Sequence, residues 1–120
     1  MAAGDPKYLV FDIESVADGA LVSRLRYAAD KLSPEKAIAR YRGELQAENG
    51  KDFIHYTFQL PVSLAVAKGA SDYRLLDLVS LDEEQSRPHE IVRRFWEGWR
   101  RYDRPRLVSF NGRGFDMPLL

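Results

Sequence analysis

Two acidic side chains lie two residues apart in Phe11-Asp12-Ile13-Glu14, at the end of the apolar run Tyr8-Leu9-Val10-Phe11. In a strand, side chains at i and i+2 project to the same side. Carboxylates held side by side repel each other, and apolar neighbours worsen the cost by withdrawing water. A hard divalent cation with oxygen ligands, Mg²⁺ or Mn²⁺, removes both penalties. A bare Asp-x-Glu is also satisfied by simply facing water at a strand end. Asp116 adds a third carboxylate, after the apolar run Arg106–Phe110 and the turn-forming Asn111-Gly112-Arg113-Gly114. Alone, it reads as a helix-start acid complementing the dipole. Brought to the same sheet end as Asp12 and Glu14, it completes a three-carboxylate cation site.

The elements that must position these residues are legible from periodicity. Residues 7–13 are a short apolar run rich in aromatic and branched side chains, and so a buried strand. Residues 18–50 change to helical spacing, first through Leu21, Leu25, Ala28 and Leu32. A second helix starts at Ser33-Pro34-Glu35, with Ser33 as cap and Pro34 at the first helical position. It carries Ile38, Tyr41 and Leu45 on one face and stops at Asn49-Gly50. Residues 59–68 predict a second strand, with Val62, Leu64 and Val66 on one face. A turn at Gly69-Ala70-Ser71-Asp72 leads to a third strand over 73–81. So short a turn implies an antiparallel hairpin. Residues 87–102 predict an amphipathic helix with an apolar stripe of Val92, Phe95, Trp99 and Tyr102. A fourth strand spans 106–110, and a last helix begins at Gly114. This order predicts a mixed α/β sheet of three antiparallel strands and a parallel fourth. The crossover helix sets that fourth strand beside the first.

A chain of 120 residues with 45% hydrophobic and 12% aromatic content holds an ordinary core, as one small domain. Zero formal net charge excludes the strongly basic profile of a protein that coats nucleic acid. It is compatible with an enzyme that grips one strand end. The absence of cysteine excludes disulfides and thiolate metal sites and fits a reducing compartment, the cytoplasm. No signal-peptide pattern opens the sequence, and no apolar stretch approaches the ~18 residues of a membrane span.

Phe11-Asp12-Ile13-Glu14, with Asn111, Phe115, Asp116, Pro118 and Leu120 in the pattern Asn-x-x-x-Phe-Asp-x-Pro-x-Leu, resembles two exonuclease motifs. They are the first and second motifs of the 3′–5′ proofreading domain of B-family DNA polymerases and of the stand-alone predicted exonucleases related to it. Phe58-Gln59-Leu60-Pro61-Val62 is similar to the stand-alone group. The resemblance implies an RNase H-like fold of the DEDD superfamily, with 18–50 as a helical insertion. It implies that Asp12, Glu14 and Asp116 hold two Mg²⁺ or Mn²⁺ ions about 4 Å apart, for hydrolysis of a phosphodiester bond. It also implies substrate contacts from Ile13, Ser15, Asn111 and Phe115, and a single-stranded 3′ end, DNA rather than RNA, as the substrate.

The family's third motif, a Tyr or His followed four residues later by Asp on a later helix, has no counterpart here. His55 and His89 both precede the second motif. The domain is therefore expected to be C-terminally truncated, with exonuclease activity impaired in these 120 residues. Self-association through an unpaired sheet edge is expected as well. The rival readings are another RNase H-like nuclease and a non-catalytic domain of this fold that binds nucleic acid or protein. From Arg87 to Arg113, eight arginines face three acidic residues. This is either a footprint for nucleic acid or a solvated helix face.

Overall fold

A computed structural model describes residues 5–110 and 112–120, with the side chains of 112 and 113 outside the description. The chain divides into two compact units, Met1–Ser15 with Pro61–Leu120, and Val16–Leu60. Strands β1 (Tyr8–Ala17), β2 (Gln59–Gly69), β3 (Leu75–Ser80) and β4 (Arg106–Val108) form a sheet in the order β3-β2-β1-β4. β2 and β3 pair antiparallel, with Val66 opposite Val79 and a bulge at Lys68/Gly69. β1 and β4 pair parallel, with Leu9 opposite Leu107 and Val10 opposite Val108. This is the mixed sheet expected of an RNase H-like exonuclease, with the parallel strand beside the first.

In the first unit the core gathers Leu9, Phe11 and Ile13 of β1, Leu64 and Val66 of β2, and Ile91 and Phe95 of helix α3 (Pro88–Arg101). The rings of Phe11 and Phe95 meet edge-on, 5.0 Å between centroids, a favoured geometry for aromatic pairs. The predicted stripe of α3 is rotated by about one position. Ile91 and Phe95 are buried, while Val92, Trp99 and Tyr102 are only half-buried. Spacing alone does not say which edge of an apolar stripe meets the sheet. Two further contacts fix the helix. Arg87, just before it, donates from its backbone N, Nε and Nη2 to buried Asp82 at 2.8, 3.0 and 2.9 Å. At the far end Lys68 Nζ donates to Tyr102 Oη at 3.0 Å. A cleft of about 240 Å³ opens beside α3, lined by Val66, Lys68, Val79, Phe95 and Arg101 among others.

The second unit holds helices α1 (Gly19–Arg26) and α2 (Pro34–Asn49) and a 3-10 turn, Tyr56–Phe58. α2 begins and ends as its sequence dictates. Ser33 accepts from Lys36 N at 3.3 Å, Pro34 opens the helix, and Gly50 closes it at φ 70°. α1 differs from expectation. It is capped by Asp18, which accepts from Leu21 N at 3.1 Å, and it stops at Arg26. Leu25 is therefore 66% exposed, and Val22 and Tyr27 supply the buried contacts to Ala37, Tyr41 and Ile54. Gly19 is required by close approach, because a Cβ there would lie 2.5 Å from the Pro34 carbonyl oxygen. Among the described residues no helix is long and apolar enough to cross a membrane.

Candidate active site

Alternation along β1 decides where the first two carboxylates go. Leu9, Phe11 and Ile13 point into the core, so Val10, Asp12 and Glu14 stand on the opposite, exposed face. Asp12 and Glu14 thus share one side of one strand, next to β4.

Asp116 arrives by a different route. After β4 the chain passes through a π-helical turn, Gly112–Asp116, into the short helix α4 (Met117–Leu119). The last helix is expected to begin at Gly114; the wider turn occupies that start and α-helical geometry begins only at Met117. The turn is held against α3. Met117, Leu119 and Leu120 pack on the first unit's core, and Trp96 Nε1 donates to the Leu120 carbonyl at 3.2 Å. That packing leaves Asp116 only 8% exposed. Its carboxyl is pushed above the ordinary aspartate range, first by burial and second by the negative charge of Asp12. The two acids, 104 positions apart in the chain, are therefore electrostatic neighbours. They form a carboxylate pair in which one member is poorly hydrated.

The other expected site residues are placed unequally. Ile13 is buried in the core, so only its backbone is free for a substrate. Ser15 is half-buried on the same strand, and Phe115 is half-buried within the π-helical turn. Asn111 lies outside the described residues. Among the described residues no group of three or more acidic or histidine side chains is gathered closely enough to hold a metal. The close pair is Asp12 with Asp116, and Glu14 lies one strand repeat further along. His55, next to Tyr56, and His89 at the start of α3 are both exposed.

The donor set suits a hard cation. Mg²⁺ is commonly held by one or two carboxylates and completes its shell with water and substrate phosphate. Of such donors the structure brings together Asp12 and Asp116, and among the described residues no third is gathered with them. The 240 Å³ cleft belongs to the helix-covered side of the sheet and has no part in this arrangement.

Three of the eight arginines in this stretch are compensated within the protein. Arg87 and Arg94 meet Asp82, and Arg93 bridges Glu90 and Glu97. Part of the polar face of α3 is thus a self-neutralised surface. Sequence reasoning missed the Asp82–Arg87 clamp, since two charges five apart across a loop have no periodic signature. It also missed Phe110, whose ring is 96% exposed although it ends an apolar run.

Residues 51–120 match a family model described as a predicted 3′–5′ exonuclease related to the exonuclease domain of PolB. The chain belongs to this family. Within this exonuclease-family chain the matched segment contains Asn111, Phe115 and Asp116, while Asp12 and Glu14 lie before it. Comparison with curated proteins and with solved structures gave no match.

Proposed function

We propose that the chain is a metal-dependent 3′–5′ exonuclease that removes nucleotides from the 3′ end of single-stranded DNA. Asp12, Glu14 and Asp116 would serve as the metal ligands. The observation that carries this reading is the buried Asp116 carboxyl, pushed above its ordinary range first by burial and then by the charge of Asp12. Such a pair is costly unless a cation neutralises it. Family membership supports nucleic acid as the substrate class and hydrolysis as the reaction.

In this reading Asp12 and Asp116 present oxygens to the cation from two elements, and Glu14 presents a third from the strand. Bound Mg²⁺ or Mn²⁺, two ions in the full arrangement, would supply an activated water and neutralise charge on the phosphate. Water oxygen attacks phosphorus, the bond to the 3′ oxygen breaks, and a nucleoside 5′-monophosphate leaves. The remaining strand ends in a 3′ hydroxyl. Ser15, Phe115, Asn111 and the backbone at Ile13 would line the path of the strand.

One observation favours a second reading, a non-catalytic domain of the same fold that binds nucleic acid or protein. Among the described residues no three potential ligands are gathered. Thermal melting with increasing Mn²⁺ separates the two. A competent site at a hundred times its Kd should gain about 2.7 kcal/mol. That gain should vanish in Asp12→Asn and in Asp116→Asn. Products from a 5′-labelled DNA strand should shorten one nucleotide at a time from the 3′ end, at the impaired rate expected of these 120 residues without the family's third motif. Melting indifferent to Mn²⁺ together with intact DNA would establish the binding domain instead.

A further inference from the structure

Just past the end of β4 stands one large side chain that neither folding nor the carboxylates use. Phe110 is 96% exposed, more than any other large apolar residue described. It lies in the bend two residues after β4, in which Arg106 is opposite Tyr8 and Val108 opposite Val10. Val108 and Val10 are 42% and 45% exposed, so this cross-strand pair is apolar and wet on the side that bears Asp12 and Glu14. Phe110 follows Val108 by two residues as Asp12 follows Val10 by two, so both lie just past the last paired residues at one end of the β1–β4 ladder.

We infer that Phe110 is the stacking platform for the nucleobase at the 3′ end of the bound strand, with Arg106 meeting a phosphate further along it. The inference rests on the nuclease reading above and names how that site holds its substrate. A lone aromatic ring presented to water at the same ladder end as Asp12 is suited to a flat apolar partner whose attached phosphate must reach the carboxylates' cation. Every base has a π-face, so stacking tolerates any sequence, as removal of successive terminal nucleotides demands. Phe115, the aromatic within the motif itself, is half-buried and engaged within the protein. The cation is available as well. Arg87, Arg93 and Arg94 are taken by ion pairs, and Arg106 is exposed without one among the described residues.

The test is equilibrium binding, in Ca²⁺, of a single-stranded DNA whose 3′-terminal base is 2-aminopurine, against the same strand with an abasic 3′ terminus. The wild-type chain should prefer the strand bearing the base by about 5- to 100-fold and should change its fluorescence. Phe110→Ala should bind both strands equally with an unchanged melting temperature, and Phe110→Trp should keep the preference. Arg106→Gln should weaken both strands alike and reduce the slope of log K against log salt by about 0.7. A preference that survives Phe110→Ala overturns the inference and leaves the nuclease reading intact, because Mn²⁺ stabilisation through Asp12 and Asp116 decides that reading separately. A fall of several degrees in the melting temperature of Phe110→Ala, or no binding of either strand by wild type, also overturns it.

Discussion

On the side of the sheet that meets α3, β1 contributes Leu9, Phe11 and Ile13, all buried beneath Ile91 and Phe95. On the other side the same strand contributes Val10, Asp12 and Glu14, all exposed. Nothing but parity separates the two sets. One face spends its side chains on cohesion, and the other is relieved of that duty, so it tolerates like charges. Asp116 stands between these regimes. Its backbone belongs to a turn clamped to the core, while its carboxyl carries the cost of burial and of the like charge on Asp12.

Substitutions can break this contrast. The largest effect belongs to the covered face. Leu64, fully buried, should cost about 2–5 kcal/mol when replaced by Ala, read from the urea midpoint. Next is the clamp of α3. Asp82→Asn removes the negative charge and one of the two oxygens that accept from Arg87 and should lower Tm by on the order of 5 °C. Arg87 holds the Asp82 carboxyl down at about 2, from 3.8. The pair's stabilisation is therefore fully present above pH 3.8 and is lost as pH falls through about 2. An acid-unfolding midpoint unmoved by Asp82→Asn would show that the clamp does not hold the helix.

Asp116 should behave in the opposite sense. Its native pKa is raised from 3.8, so its contribution is fully present below that pH and is lost as pH rises through the native value. Near neutrality, Asp116→Asn should raise the Tm of the metal-free chain by a few degrees, while abolishing any gain from Mn²⁺. A drop in Tm would mean that the carboxylate is held by favourable contacts rather than strained by Asp12. The smallest effect belongs to the open face. Val108→Ala should stay within about 0.5 kcal/mol by the same urea measurement, and a cost near that of Leu64→Ala would erase the distinction between the faces.

Much of this arrangement was legible in the residues. The alternation of Leu9, Phe11 and Ile13 with Val10, Asp12 and Glu14 is itself the strand signal. The bounds of α2 follow from Ser33-Pro34-Glu35 and Asn49-Gly50, because caps obey local chemistry. What was not legible depends on tertiary choice. α1 ends at Arg26 since Tyr27 leaves the helical path and turns inward, so Leu25, on the expected stripe, faces water. The π-helical turn before Met117 leaves no mark in composition, because one extra residue per turn alters no propensity. The three acids were legible as chemistry, and the structure brings Asp12 close to Asp116 while leaving Glu14 outside a gathered set. The fourth strand, expected over 106–110, ends at Val108, and an apolar Phe110 gives no sign in sequence that the chain bends away there.

The two indoles of α3 grip opposite ends of one stretch of chain. Trp99 Nε1 donates to the Pro105 carbonyl at 3.1 Å, and Trp96 Nε1 donates to that of Leu120. Between these anchors lie β4, Phe110 and Asp116. Intrinsic emission therefore comes with assigned positions. Replacing either indole with Phe leaves a single fluorophore that senses, in its colour and lifetime, whether one anchor of the acid-bearing segment is seated, without any attached dye.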